Sequence, residues 1–244
     1  MQILSIFFTQ LSVAYVASFI FYIIVNYIPE QEKKRKYQGV AFKQLRYPLS
    51  NHLDLLVYMY KATIINKPNI NPINVSDIFD DYYYNEMKLF DIHAKAPVIS
   101  SKSWFEFINS KCLAFADSLE NTVGKYSIYL DDSTINLIES IRHSLFMQIY
   151  LQEATSFINI DNNLLIIDDY ITLSNTDDKS MLIFDNNIAN IELKEYIKSI
   201  LNLIDLCNRE NDKPISIDRY NWGDDSFPKY GSARFDKDKM VKSK

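Results

Sequence analysis

Three histidines are the side chains of this sequence best suited to acid–base or metal chemistry, and their spacing supports neither. They are His52, His93 and His143, and none has the HExxH spacing of a zinc site. His52 and Asp54 are two residues apart, which places their side chains on different faces of a helix. We therefore expect no metal site. We expect His52 and His93 to be exposed near helix ends and His143 to lie on the polar side of its helix.

Adjacent aspartates are the other candidates for catalysis. Five pairs occur: Asp80-Asp81, Asp131-Asp132, Asp168-Asp169, Asp177-Asp178 and Asp224-Asp225. General acid–base catalysis needs two carboxylates that face one pocket with separated pKa values, whereas neighbouring aspartates are typical of helix caps and turns. We predict no catalytic residue. An enzyme with a dispersed site stays an alternative, which a pocket lined by two or more of Asp91, His93, Glu139 and His143 would favour.

Glycine and cysteine usage argues against a bound cofactor. The four glycines, Gly39, Gly124, Gly223 and Gly231, lack the spacing of a dinucleotide-binding or P-loop turn. Cys112 and Cys207 lie in apolar helical patterns without a CxxC partner, so we expect buried thiols in a reducing compartment. The net charge of -5 disfavours nucleic acid as a partner.

The elements that must position these residues begin with an apolar N-terminal segment. No charged residue occurs from Ile3 to Ile28, a helix of about 39 Å against a hydrocarbon core of about 30 Å. A cleaved signal peptide is the alternative, but no Lys or Arg precedes Lys33 and the apolar run is too long. Residues 1–29 are predicted to form one transmembrane helix.

The charges after this segment predict its orientation. Residues 30–49 should form a basic juxtamembrane helix, in which the cations are Lys33, Lys34, Arg35, Lys36, Lys43 and Arg46. The positive-inside rule places this side in the cytoplasm and the short N-terminus outside. The first four cations, Lys33, Lys34, Arg35 and Lys36, should also contact lipid headgroups. We predict a single-pass protein of the bacterial inner membrane.

One row of the predicted anchor is polar or small. It consists of Gln10, Ala14, Ser18, Tyr22 and Asn26, which recur every four residues. Such a row allows two helix backbones to approach and side chains to bond across the interface. Tolerated small residues in an ordinary anchor are the alternative. An unpaired Gln10 amide within lipid is costly, so the row favours self-association of the anchor.

Residues 50–211 are predicted to form a helical cytoplasmic domain. Pro48 should end the preceding helix, Ser50 and Asp132 should cap new ones, and Ser103 with Glu106 should form a capping box. Three segments repeat apolar residues at steps of three and four: Phe105, Ile108, Cys112, Phe115 and Leu119; Ile135, Ile138, Ile141, Leu145 and Ile149; and Leu193, Ile197, Ile200, Ile204 and Cys207. These stripes predict a mainly α fold, an antiparallel helical bundle.

Two later regions have sequence patterns that are less regular than the helical stripes. Short apolar runs within residues 164–184 could form a β-hairpin or buried helical turns. Residues 212–244 are polar and irregular, and are predicted to be a mobile tail. Tyr82, Tyr83 and Tyr84 form an aromatic cluster that should be partly core and partly a protein-binding surface.

Three functions remain open from the sequence. The first is a membrane-tethered interaction module that binds an unknown cytoplasmic protein. The second is an oligomerising membrane effector, and the third is the enzyme with a dispersed site. The plan of an N-out anchor, a basic stop and a helical domain resembles that of many short bacterial proteins, some of which belong to anti-phage or mobile-element systems. No specific motif carries this resemblance.

Overall fold

The computed structural model describes residues 2–66, 75–99, 101–151, 187–209, 214–215 and 229–235. These residues are mainly helical, as predicted, and within them the only β-type pairings are two isolated bridges, Phe90 with Arg234 and Lys95 with Ser103. The helices are α1 (Gln2–Tyr22), α2 (Ile28–Thr63), α3 (Asp81–Met87), α4 (Trp104–Tyr126), α5 (Asp132–Arg142), α6 (Leu145–Leu151) and α7 (Asn187–Arg209). A short 3-10 helix, Val75–Ile78, precedes α3.

Helices α1 and α2 are joined without a loop. A π-helical segment, Ile23–Tyr27, connects them, and the Ile28 amide donates to the Ile23 carbonyl oxygen. The wider π turn ends just before Pro29, whose ring would otherwise crowd the carbonyl group of Val25. The chain therefore remains helical from the apolar N-terminal segment to Thr63.

The prediction that Pro48 ends a helix is wrong. Helix α2 passes through Pro48, and Ser50 is buried inside the helix instead of capping a new one. The proline removes one backbone hydrogen bond, but Leu45, Leu49 and Leu53 form one buried stripe across it. Burial of this stripe outweighs the lost bond, because each buried leucine contributes roughly 2 kcal/mol.

The core lies between the second half of α2 and helices α4 to α7. Helix α4 runs along α2 in the opposite direction, since Phe115 stacks on His52 and Tyr129, just after α4, stacks on Tyr37. The buried side chains of the predicted stripes, such as Ile108, fill this core. Burial on α2 begins at Ala41, so the helix enters the core well after the apolar segment ends.

Of the predicted helix caps, the capping box of Ser103 and Glu106 is confirmed, whereas Ser50 and Asp132 do not cap a helix. The Ser103 hydroxyl accepts from the Glu106 amide, and the Glu106 carboxylate accepts from the Ser103 amide. Asp80 and Asp131 cap α3 and α5. The predicted cap Asp132 is instead the first helical residue of α5. The other three aspartate pairs, and the possible hairpin at residues 164–184, lie outside the described residues.

A short C-terminal segment packs over the distal end of α2. The Ala233 amide donates to the Ala62 carbonyl oxygen at 2.9 Å, and the Phe235 amide donates to the Leu89 carbonyl oxygen at 2.9 Å. Gly231 has a φ of 72°, a conformation that favours glycine where the segment turns. Residues 229–235 belong to the predicted mobile tail, yet here they are bound to the domain.

Candidate functional site

The most unusual surface of the described chain is the apolar N-terminal helix. One helix among the described residues is long and apolar enough to cross a membrane, and its most apolar window is entirely unburied. Large side chains such as Phe7, Phe21 and Ile24 are more than half exposed. Exposing this much contiguous apolar surface to water is unfavourable, because the hydrophobic effect scales with exposed apolar area.

The two sides of this helix differ in chemistry. The predicted self-association row, Gln10, Ala14, Ser18, Tyr22 and Asn26, is exposed along its whole length. Successive residues of a helix are rotated by about 100° around its axis. This rotation places a shallow groove on the half of the helix surface opposite the row. It is lined by Ser12, Val13, Val16, Ala17 and Ile20. The Ser12 hydroxyl bonds to the Phe8 carbonyl oxygen at 2.8 Å and is therefore satisfied within the helix.

The basic run lies where the helix leaves the apolar segment and first meets the domain. Lys33, Arg35 and Lys36 are exposed, and Lys34 is half-buried. The Lys33 ammonium group lies 6.0 Å from the centre of the Tyr129 ring. This contact ties the basic run to the turn between α4 and α5.

The prediction that His52 is exposed is wrong. His52 is buried between α2, α4 and α7, where its ring stacks on Phe115 at 4.2 Å. The Tyr196 hydroxyl forms a 2.5 Å hydrogen bond with the His52 Nε2 atom and also contacts the Met147 sulfur at 3.3 Å. Burial without an opposite charge lowers the pKa of His52 to about 3, so the imidazole is neutral at physiological pH.

The sequence did contain a signal for this burial. His52 lies three residues after Leu49 and four before Leu56, which is the spacing of one helix face. The expected helix start at Ser50 hid this pattern, because it placed His52 in an exposed first turn. The neutral imidazole bonds to the buried Tyr196 through Nε2, whereas its buried Nδ1 atom has no hydrogen-bond partner among the described residues, so the pair is only half satisfied.

The two cysteines are buried and free, as the sequence predicted. Burial raises the pKa of the Cys207 thiol to about 12 and raises the pKa of the Cys112 thiol as well. A thiol with a raised pKa is a poor nucleophile, because the reactive form is the thiolate. Neither cysteine is suited to covalent chemistry in the folded chain.

The four residues of the possible dispersed site fall into two separate pairs. His143 is exposed at the end of α5, and its Nε2 atom lies 3.3 Å from the Oε2 atom of Glu139 in the same helix. The Asp91 carboxylate accepts from the His93 amide, in the loop before α4. The described contacts do not join the two pairs. In the part of the chain that the structure describes, no group of three or more metal-ligating side chains occurs.

The tyrosine cluster divides between core and surface. Tyr83 and Tyr84 are buried, whereas Tyr82 is 48% exposed. Tyr83 packs against Tyr60 with ring centres 4.8 Å apart. Of the three predicted surface residues, Tyr82 alone has a largely accessible ring. It lies beside Asp81, whose carboxylate is paired with Lys194 at 3.2 Å.

No family model, curated protein or solved structure matches this chain. Two features of its own geometry bear on its function. They are the exposed apolar helix and the domain built around the continuation of that helix.

Proposed function

We propose that this chain is a single-pass membrane protein whose helical domain holds a cytoplasmic protein at the bilayer. The observation that carries the proposal is one uninterrupted helix, Ile6–Thr63. Its first part exposes apolar side chains, and its last part supplies core residues such as Leu53 and Tyr60. An anchor continuous with the domain core would fix the domain rigidly at the membrane, since a helix is stiffer than a linker.

The charge distribution supports a cytoplasmic domain in this proposal. The cations at Lys33, Lys34, Arg35 and Lys36 lie on the domain side of the apolar segment. The positive-inside rule then places the N-terminus outside and the domain in the cytoplasm. For a bacterial protein this membrane would be the inner membrane.

The domain surface supports binding of a protein. Tyr82 offers a large, partly accessible ring, and tyrosine is enriched at the centres of protein interfaces. Packed as an antiparallel bundle, the helices would present this surface on the end of the domain far from the membrane. Tyr82 lies on α3, and α3 packs at the distal part of α2 through Tyr83 and Tyr60.

Purification of the full-length protein from detergent extracts tests this role. We expect a stoichiometric partner that is lost in Tyr82→Ala and retained in Tyr47→Ala. Tyr47 is the matched control, because it is a 67% exposed tyrosine on α2. Repeated recovery of the protein alone would contradict the interaction role, and equal loss in both variants would exclude Tyr82 as the specific contact.

Self-association of the anchor is a second candidate function, in which assembled anchors perturb the bilayer. The exposed polar row from Gln10 to Asn26 favours it, because an amide in lipid gains free energy from a partner. Replacing Gln10 and Ser18 with leucine should abolish oligomers seen by crosslinking in lipid. Ser12→Leu is the control, since Ser12 lies on the other side of the helix. Unchanged oligomers in the double variant would remove this candidate.

A further inference from the structure

The turn between α4 and α5 contacts the basic run that follows the apolar segment, through Tyr129 and Lys33. It lies alongside the first turns of α2, where Tyr129 stacks on Tyr37 with ring centres 4.5 Å apart. The Gln38 side chain donates to the Asp131 carboxylate at 3.3 Å. Because α4 runs back along α2 toward the N-terminal segment, its last residues form the membrane-facing tip of the domain.

The distance from the apolar segment to this tip is short. Lys33 and Tyr37 follow Ile28 by about 8 and about 14 Å along the helix axis. The polar layer of a bilayer is about 5 to 8 Å thick on each side. The apolar segment exceeds the hydrocarbon thickness by about 9 Å, which a helix accommodates by tilting. Tilt toward the α4–α5 side brings the tip into the headgroup layer.

The tip has the composition of a membrane-interface contact. Ile128 projects from the turn and is 77% exposed. Tyr129, which stacks on Tyr37, follows Ile128 directly, and the exposed Lys125 lies in the last turn of α4; tyrosine and lysine both favour the headgroup level.

The carboxylates at the tip do not favour a contact with anionic lipid. Asp131 is the cap of α5, and its carboxylate accepts from Thr134 and Gln38. Hydrogen bonds from Ser133 are the largest cause of its lowered pKa. Asp132 is exposed in the first turn of α5, where the helix dipole stabilises an anion. Glu30 and Glu32 are also exposed, so Ile128 rather than net charge has to supply the attraction.

We infer that the α4–α5 turn is a second membrane contact, in which Ile128 inserts into the lipid headgroup layer beside the Tyr37–Tyr129 pair. This inference rests on the proposed membrane anchor. Two contacts, the anchor and the turn, fix both the height and the tilt of the domain. The domain then presents its distal end, which includes Tyr82, away from the bilayer.

Fluorescence quenching by brominated lipids tests the contact in the full-length protein. Single cysteines at Ile128, Val16 and Ile191 would each be labelled with a polarity-sensitive fluorophore in vesicles of phosphatidylcholine and phosphatidylglycerol. Ile191 is the matched control, because it is a 60% exposed isoleucine near the start of α7, at the distal end. The native cysteines are buried, so the introduced thiol is the one that reacts.

We expect lipid brominated near the headgroup to quench the label at position 128 and not the label at position 191. Quenching at position 16 by lipid brominated along the acyl chain, with no quenching at 128 by lipid brominated near the headgroup, would overturn the turn contact while leaving the anchor intact. Equal quenching at 128 and 191 would also overturn it, because the domain would then lie on the surface without a preferred end. No quenching at position 16 by lipid brominated along the acyl chain would contradict the anchor itself, and the turn contact with it.

Discussion

The His52 Nε2 atom lies 2.5 Å from the Tyr196 hydroxyl oxygen, and this hydrogen bond joins the continuous N-terminal helix to α7, the last helix that the structure describes. The two residues are 144 positions apart in the chain. Both residues are buried. Phe115 stacks on the His52 ring, and Phe146 stacks on the Tyr196 ring. The neutral imidazole is therefore part of the packing that makes α2 a core helix.

The burial of His52 predicts a pH-dependent stability. Its folded pKa of about 3 is below the ordinary value of 6.5, so between these values the unfolded chain binds the extra proton. The contribution of neutral His52 to the unfolding free energy is full above pH 6.5. It falls by about 1.4 kcal/mol per pH unit as the pH drops toward 3. Denaturant unfolding in detergent should show this loss between pH 6.5 and pH 5. His52→Gln should lower the slope, and the control His93→Gln, at an exposed histidine, should leave it unchanged.

If wild type and His52→Gln lost stability in parallel over this range, His52 would be accessible to protons in the folded state. Its buried position between α2, α4 and α7 would then not hold in solution.

The ion pair between Arg234 and Glu86 predicts that the C-terminal segment stabilises the domain. The Arg234 guanidinium group also donates to the Thr63 carbonyl oxygen at 3.2 Å, at the end of α2. Arg234→Ala leaves both acceptors without this donor, and we expect a loss of about 1 to 3 kcal/mol in unfolding free energy. Lys194→Ala is the control, because its pair with Asp81 is exposed and should change stability by less than about 1 kcal/mol.

Limited proteolysis reports on the same segment independently. Wild type should resist cleavage at residues 229–235, and Arg234→Ala should be cleaved there more rapidly. Equal cleavage and equal stability in the two proteins would show that the segment does not bind the end of α2.

The capping box predicts a smaller, local effect. The Ser103 amide donates to the Glu106 carboxylate at 2.8 Å, and the Ser103 hydroxyl accepts from the Glu106 amide. Ser103→Ala should cost about 1 kcal/mol of unfolding free energy. Ser118→Ala, in the middle of the same helix, should cost nothing or add slightly to stability, because its hydroxyl bonds only to the Ala114 carbonyl oxygen. A larger loss for Ser118→Ala than for Ser103→Ala would contradict the assigned start of α4.

Local signals in the sequence predicted local features of the fold. The uncharged run from Ile3 to Ile28 predicted the long apolar helix, and Ser103 with Glu106 predicted where α4 begins. The apolar stripe of α4 predicted the buried residues from Ile108 to Leu119. These features depend on side chains within a few turns of one another, so their patterns can be read from neighbouring positions.

Features that depend on distant residues were missed. Pro48 weakens a helix locally, but burial of Leu45 and Leu49 against other helices keeps α2 continuous. His52 is polar, yet its partner Tyr196 comes from a different helix. Arg234 lies in a segment whose composition predicts disorder, and its acceptors are supplied by α2 and α3. Tertiary contacts decided each case, and a single sequence does not show which distant residues meet.

The central claim is that the apolar part of the continuous helix Ile6–Thr63 lies in a lipid bilayer. Washing membranes from expressing cells with alkaline carbonate tests it most directly, because this treatment removes peripheral proteins and leaves spanning ones. We expect the full-length protein to sediment with the membranes and to be released by detergent. Recovery of the protein in the carbonate supernatant, monodisperse without detergent, would contradict the claim.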